Sequence, residues 1–173
     1  MSLLVVGLNH RTVPVELLER MTVPEDRLAK ALHDLSAREH LLEVVVLSTC
    51  NRTEIYAYCS RFHAAVGDIV EFLAEYSGAM PDDFNDHLYT YFDDAAVSHL
   101  FTVAAGLDSM IVGEGEILGQ VREAWLRQVR AHHPDRMIAQ GLPEEAIAVA
   151  NRKVALINDA YDRLRRERGL VPA

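Results

Sequence analysis

The sequence predicts an α+β fold: a mainly antiparallel sheet with helices, followed by a C-terminal α-helical hairpin. Three observations carry this reading. Short apolar runs alternate with amphipathic helical stretches up to Gly106. A tight polar corner, Ser48 to Arg52, joins two of the apolar runs, which antiparallel neighbours allow and parallel ones do not. From Glu116 onward only helical spacing remains.

Leu3 to Leu8 is a short apolar run that meets Asn9 and His10, a strand followed by a turn. Thr22 to Ala37 reads as a helix: Thr22 as a cap, Pro24 near the first turn, Glu25 and Asp26 at the positive end, and Leu28, Ala31, Leu32 and Leu35 along one face. Leu41 to Leu47 is nearly continuous Leu and Val, too short for a typical helix and rich in β-branched residues, so it reads as a central strand. Glu54 to Cys59 returns from the corner as its partner. Ala64 to Tyr76 has Val66, Ile69, Val70 and Leu73 at helical spacing. Leu88 to Phe92 is a further short strand, after which Asp93 or Asp94 caps a helix that stops at Gly106. A hairpin inside an otherwise alternating order points to the split βαβ, ferredoxin-like type.

In the tail, Leu118, Val121, Trp125, Val129 and His132 make one stripe, and Ile147, Ala150, Val154, Ile157, Tyr161 and Leu164 make another. A polar loop from His132 to Pro143 separates them, so the expectation is a helical hairpin.

Composition narrows the function classes. The 173 residues carry 26 acidic and 17 basic side chains, a net charge of −9, and two cysteines. That length buries a core without disulfide or metal staples, and no Cys/His cluster has zinc-ligand spacing, so a reduced, cytoplasmic setting is expected. No apolar run reaches a membrane span, and the start has no signal-peptide pattern. Residues 1–120 balance at −12 and residues 121–173 at +3, which argues against DNA as a partner of the first part and suggests two segments, 1–120 and 121–173.

Cys50 is the first candidate for chemistry. Buried structural cysteines sit inside apolar runs, as Cys59 does, whereas Cys50 stands at the exit of one, flanked by Thr49, Asn51 and Arg52. A neighbouring cation and turn amides favour a thiolate, and the thiol is the strongest side-chain nucleophile, suited to acyl transfer. The alternative is a small residue that merely fits a tight hairpin. Gly106 to Glu116, rich in glycine and carboxylates, suits a loop over a small polar ligand. Its glycines do not form a dinucleotide fingerprint.

Taken together, Gly7-Leu8-Asn9-His10-Arg11-Thr12, Ser48-Thr49-Cys50-Asn51-Arg52-Thr53-Glu54-Ile55-Tyr56, His99-Leu100-Phe101 and Gly106 to Gln120 resemble glutamyl-tRNA reductase, from residue 1 to about 125. The resemblance implies a module of tetrapyrrole biosynthesis in which Cys50 attacks the ester of glutamyl-tRNA and forms a thioester. It places a histidine important for activity at His99, the alternative there being a packed helix histidine. It places substrate-binding positions at Thr49, Asn51, Arg52, Ser109, Glu114, Gly115, Glu116 and Gln120, with Arg52 on the glutamyl carboxylate. The full-length family reduces the thioester with NADPH. These residues hold no dinucleotide motif, so acyl transfer with slow thioester hydrolysis is expected, and no cofactor.

The tail resembles something else. Val129 to Arg136 and Ala150 to Tyr161 are similar to the latter half of a J-domain, with His133, Pro134 and Asp135 as the tripeptide that contacts a DnaK-type chaperone. The J-domain's first helix has no counterpart. The expectation is therefore a chimera, with three readings open: an acyl-transfer module, a co-chaperone fragment, or a folded, inactive fusion whose hairpin covers apolar surface.

Overall fold

The computed structural model describes residues 2–108 and 116–167. The chain divides into two compact units, residues 1–102 and 103–173. In the first, β1 (Ser2–Asn9), β2 (Leu41–Thr49), β3 (Arg52–Cys59) and β4 (Tyr89–Phe92) form one sheet in the order β2-β3-β1-β4. Every pairing is antiparallel, and the order is that of the split βαβ type. The helices are α1 (Val15–Met21), α2 (Glu25–Ser36), α3 (Phe62–Ser77) and α4 (Asp94–Ala104).

Strand side chains alternate between two faces, and here the faces differ in kind. Leu4, Val6 and Leu8 of β1 and Ile55, Ala57 and Cys59 of β3 share one face. They pack with Leu18 and Met21 of α1, Ala31 and Leu35 of α2, and Ala65, Ile69, Phe72 and Leu73 of α3 in a continuous core. Cys59 donates its thiol to Ser2 O at 3.2 Å, so it is a buried structural residue as expected. The other face carries Gly7 and Asn9 of β1, Arg52, Glu54 and Tyr56 of β3, and Tyr89 and Tyr91 of β4. Gly7 stands opposite both Glu54 and Tyr89, and Val5 opposite Tyr91.

One expectation is corrected within this framework. Thr22 does not cap the second helix. It closes α1, its hydroxyl donating to Leu18 O at 2.9 Å, and Pro24 takes the N-cap of α2 instead. The residues between run extended, and Val23 N donates to Ser48 Oγ at 2.8 Å, which ties this link to the end of β2. The short α1, with only two buried residues, is too brief to show a helical stripe in the sequence.

The start of α4 is fixed to β1. Asp93 has φ 47°, a left-handed conformation in which aspartate is found several-fold more often than most side chains. Its N–H donates to Leu3 O at 2.7 Å, and its carboxylate accepts from Leu3 N at 3.1 Å. The helix that follows therefore leaves the sheet at a set position.

In the second unit, α5 (Glu116–His132) and α7 (Glu144–Glu167) pack on each other, with Trp125 stacked on Tyr161 at 4.5 Å and donating to Asn158 Oδ1 at 2.9 Å. The expected polar loop between them contains a further short helix, α6 (Pro134–Ala139), because Pro134 is preset for a first helical position and His133 caps it. Among the described residues, no helix is long and apolar enough to cross a membrane.

Phe72 is 2% exposed in the first unit's core and stacked on Tyr76. Phe72→Ala is expected to lower stability by about 3–5 kcal/mol through lost transfer energy and a cavity, read from the midpoint shift in urea unfolding.

Candidate active site

The nucleophile candidate stands on a two-residue turn. Thr49 and Arg52 are the last paired residues of β2 and β3, so Cys50 and Asn51 form the whole connection. Asn51 N donates to Thr49 Oγ1 at 3.1 Å, and His10 N donates to Asn51 O at 2.9 Å. The loop after β1 is itself tied by Asn9, which accepts from Arg11 N and Thr12 N and donates to Thr12 Oγ1. The turn is thus held from both sides, while the thiol of Cys50 is free and exposed. Thr49 and Asn51 serve the turn that presents it.

Behind the turn lies a buried polar cluster. Arg52 and Glu54 are 1% and 0% exposed, and Arg52 Nη1 donates to Glu54 Oε1 at 2.7 Å. The same oxygen accepts from Tyr89 OH at 2.5 Å and pairs with His99 Nε2 at 2.9 Å, and Oε2 accepts from Tyr56 OH at 2.7 Å. His99, from the middle of α4, also lies against Tyr89 and Tyr91, with ring centroids 5.3 and 4.9 Å away. The structure therefore joins two of the expected residues, Arg52 and His99, through a third that the sequence reading passed over.

Burial by itself raises the Glu54 carboxyl pKa, but the bonds from His99, Tyr89 and Tyr56 and the charge of Arg52 outweigh it and hold the value below 4.5. Glu54 is ionised. Burial and the adjacent Glu54 charge push the Tyr56 phenol far up, so it stays a donor. Gly7 makes the cluster possible: a Cβ there would lie 2.7 Å from Glu54 Cγ and 3.0 Å from the Tyr89 ring.

The remaining expected positions lie elsewhere. Ser109, Glu114, Gly115 and the side chain of Glu116 are outside the described residues. Gln120 stands one turn into α5, in the second unit. Among the described residues, no group of His, Cys, Asp and Glu could hold a metal ion. Glu54, Tyr56, Tyr89 and Gly7 were the residues that sequence reasoning missed. The available signal was the run Arg52, Glu54, Tyr56 at every second position of a strand whose alternate residues from Ile55 onward are apolar.

Comparison with known proteins bears on the family. A family model described as the glutamyl-tRNAGlu reductase N-terminal domain matches residues 6–155. The chain belongs to this family. A glutamyl-tRNA reductase of Frankia alni is 58% identical over 125 residues, covering 72% of this chain and 27% of that protein. One of Salinispora tropica is 48% identical over 152 residues, covering 88% and 33%. The solved glutamyl-tRNA reductase from Methanopyrus kandleri superposes with a TM-score of 0.53 at 33% identity, over 93% of this chain and 34% of that one. The chain spans about a quarter to a third of the length of these relatives.

The same findings correct the reading of the tail. The reductase family match runs through the His133-Pro134-Asp135 tripeptide and into α7, and nothing found supports a J-domain, a chaperone partner or a chimera. Locally the tripeptide starts a helix: His133 Nδ1 accepts from Asp135 N at 3.3 Å, and Pro134 is the first residue of α6. Residues suited to that task produce the tripeptide without a chaperone contact.

Gly7→Ala is expected to cost about 1–3 kcal/mol by overpacking, measured by urea unfolding. The Glu54 carboxyl also sets a pH dependence. A group whose pKa is lower in the folded state stabilises fully above its ordinary value, here 4.5, and that stability is lost as pH falls through the folded value. Unfolding measured from neutral pH into the acid range is expected to show a decline whose Glu54 share is missing in Glu54→Gln.

Proposed function

We propose that this chain is the glutamyl-accepting module of a glutamyl-tRNA reductase, acting in tetrapyrrole biosynthesis with glutamyl-tRNA as its substrate. The observation that carries the reading is Cys50: an exposed, free thiol on a turn held from both sides, two residues from a buried arginine. The Cys50 sulfur attacks the carbonyl carbon of the ester between glutamate and tRNA. The S–C bond forms, the C–O bond to the ribose breaks, and the ribose oxygen takes up the proton that the thiol gives, leaving a thioester and free tRNA.

Thr49 and Asn51 keep the turn in shape and line the approach to the sulfur. Arg52 supplies the cation for the glutamyl side-chain carboxylate. Its guanidinium is a rigid fork of N–H donors, and the Nη1 bond to Glu54 sets the plane of that fork. His99 is the histidine nearest this cation in bonding terms, since both reach the same carboxylate oxygen, and it assists at the carbonyl. The same resemblance assigns Ser109, Glu114, Gly115, Glu116 and Gln120 to substrate binding. In the full-length family NADPH reduces the thioester; acyl transfer is the step assigned to these residues.

Intact-mass measurement after brief mixing with glutamyl-tRNA tests the reading. A thiol-labile glutamyl adduct is expected on the parent and none on Cys50→Ser. An adduct of equal yield on both would place the acyl group elsewhere and reject it.

A further inference from the structure

We propose that Glu54 is a positioning residue for His99: it holds the imidazole as the Nε2–H tautomer, so that Nδ1 is the ring atom that meets the reacting group. The inference rests on the proposed acyl transfer for its catalytic consequence, while the hydrogen on Nε2 follows from the cluster alone.

Donors and acceptors in the cluster must match. Glu54 is ionised, and an ionised carboxylate only accepts. Arg52 only donates, and Tyr56, held protonated, donates to Oε2. His99 Nε2 lies 2.9 Å from Oε1. Two acceptors do not bond to each other, so Nε2 carries a hydrogen. Swinging the ring away to exchange its two nitrogens would cost that buried oxygen one of its three bonds, with Arg52 and Tyr89 holding the other two. Tyr89 and Tyr91 also flank it. In a neutral imidazole with Nε2–H, Nδ1 is the lone acceptor, and any proton that His99 takes or gives during thioester formation moves there. A carboxylate that fixes the tautomer and plane of a histidine acts through that histidine; for the comparable partners of metal-bound histidines the loss costs about 10–100-fold.

The cluster also explains why this carboxylate is a glutamate on this strand. β3 places Arg52, Glu54 and Tyr56 on one face, and the register places Gly7 opposite Glu54 with Tyr89 beyond it. The space over Gly7 admits both side chains.

Two measurements test the proposal. Long-range 15N–1H NMR of the histidine rings, with His99→Gln used for assignment, reads the tautomer in the parent chain directly. The Nε2–H form is expected, and an Nδ1–H form or an even mixture would overturn the proposal whether or not any variant folds. The second is a double-mutant cycle on the rate of glutamyl adduct formation. Glu54→Gln is expected to slow the parent about 10–100-fold and to add little further loss in a His99→Gln background. Equal losses in both backgrounds would mean that Glu54 acts on folding or on Arg52 alone, and would overturn its role through His99. If the parent forms no adduct, the acyl-transfer reading fails, and the tautomer measurement still decides this one.

Discussion

A carboxylate stripped of water must find donors, and the organisation of the sheet's second face follows from that requirement at Glu54. Its two oxygens take bonds from Arg52, Tyr56, Tyr89 and His99, contributed by β3, β4 and α4. Burying an unpaired charge costs several kcal/mol per ion, so each of these elements has a reason to be where it is. β4 brings a phenol, α4 an imidazole, and β1 contributes a glycine because any side chain at residue 7 would fill the space. The opposite face needs none of this. There, apolar burial against α1, α2 and α3 sets the packing, at roughly 25 cal/mol per Å² of apolar surface.

The separation of roles has a chemical use. A nucleophile needs access and a cationic neighbourhood, and a positioning network needs burial and full satisfaction. Cys50 has the first at the tip of the β2–β3 hairpin, and the second begins two residues later at Arg52. The hairpin lets one strand deliver both, with Cys50 exposed in the turn and Arg52, the first residue of β3, buried. Asp93, locked to Leu3, then sets where α4 leaves the sheet and so where His99 arrives.

The tail shows how a local motif can be read too far. His133-Pro134-Asp135 between two amphipathic stretches resembles a chaperone-binding loop, yet a capping histidine, a proline at the first helical position and an aspartate in the first turn are what the start of any short helix favours. The Trp125–Tyr161 stack and the Trp125–Asn158 bond hold α5 and α7 together, enough to account for the helical hairpin without a partner.

The sequence by itself determined the order of the four strands along the chain, the hairpin at Cys50, the separate nature of the two cysteines and the family. Each of these is written in nearest-neighbour terms: alternation of apolar residues, a polar corner, a cysteine outside an apolar run. It missed α1 because seven residues carry too little periodicity, and it misplaced the cap at Thr22 because capping residues also close helices. Only the tertiary structure decided that Arg52, Tyr56, Tyr89 and His99 meet on Glu54, and that Gly7 must be bare. Residues 7, 54, 89 and 99 come together through strand register and the exit angle of α4, and both depend on long-range backbone pairing that no local pattern of side chains encodes.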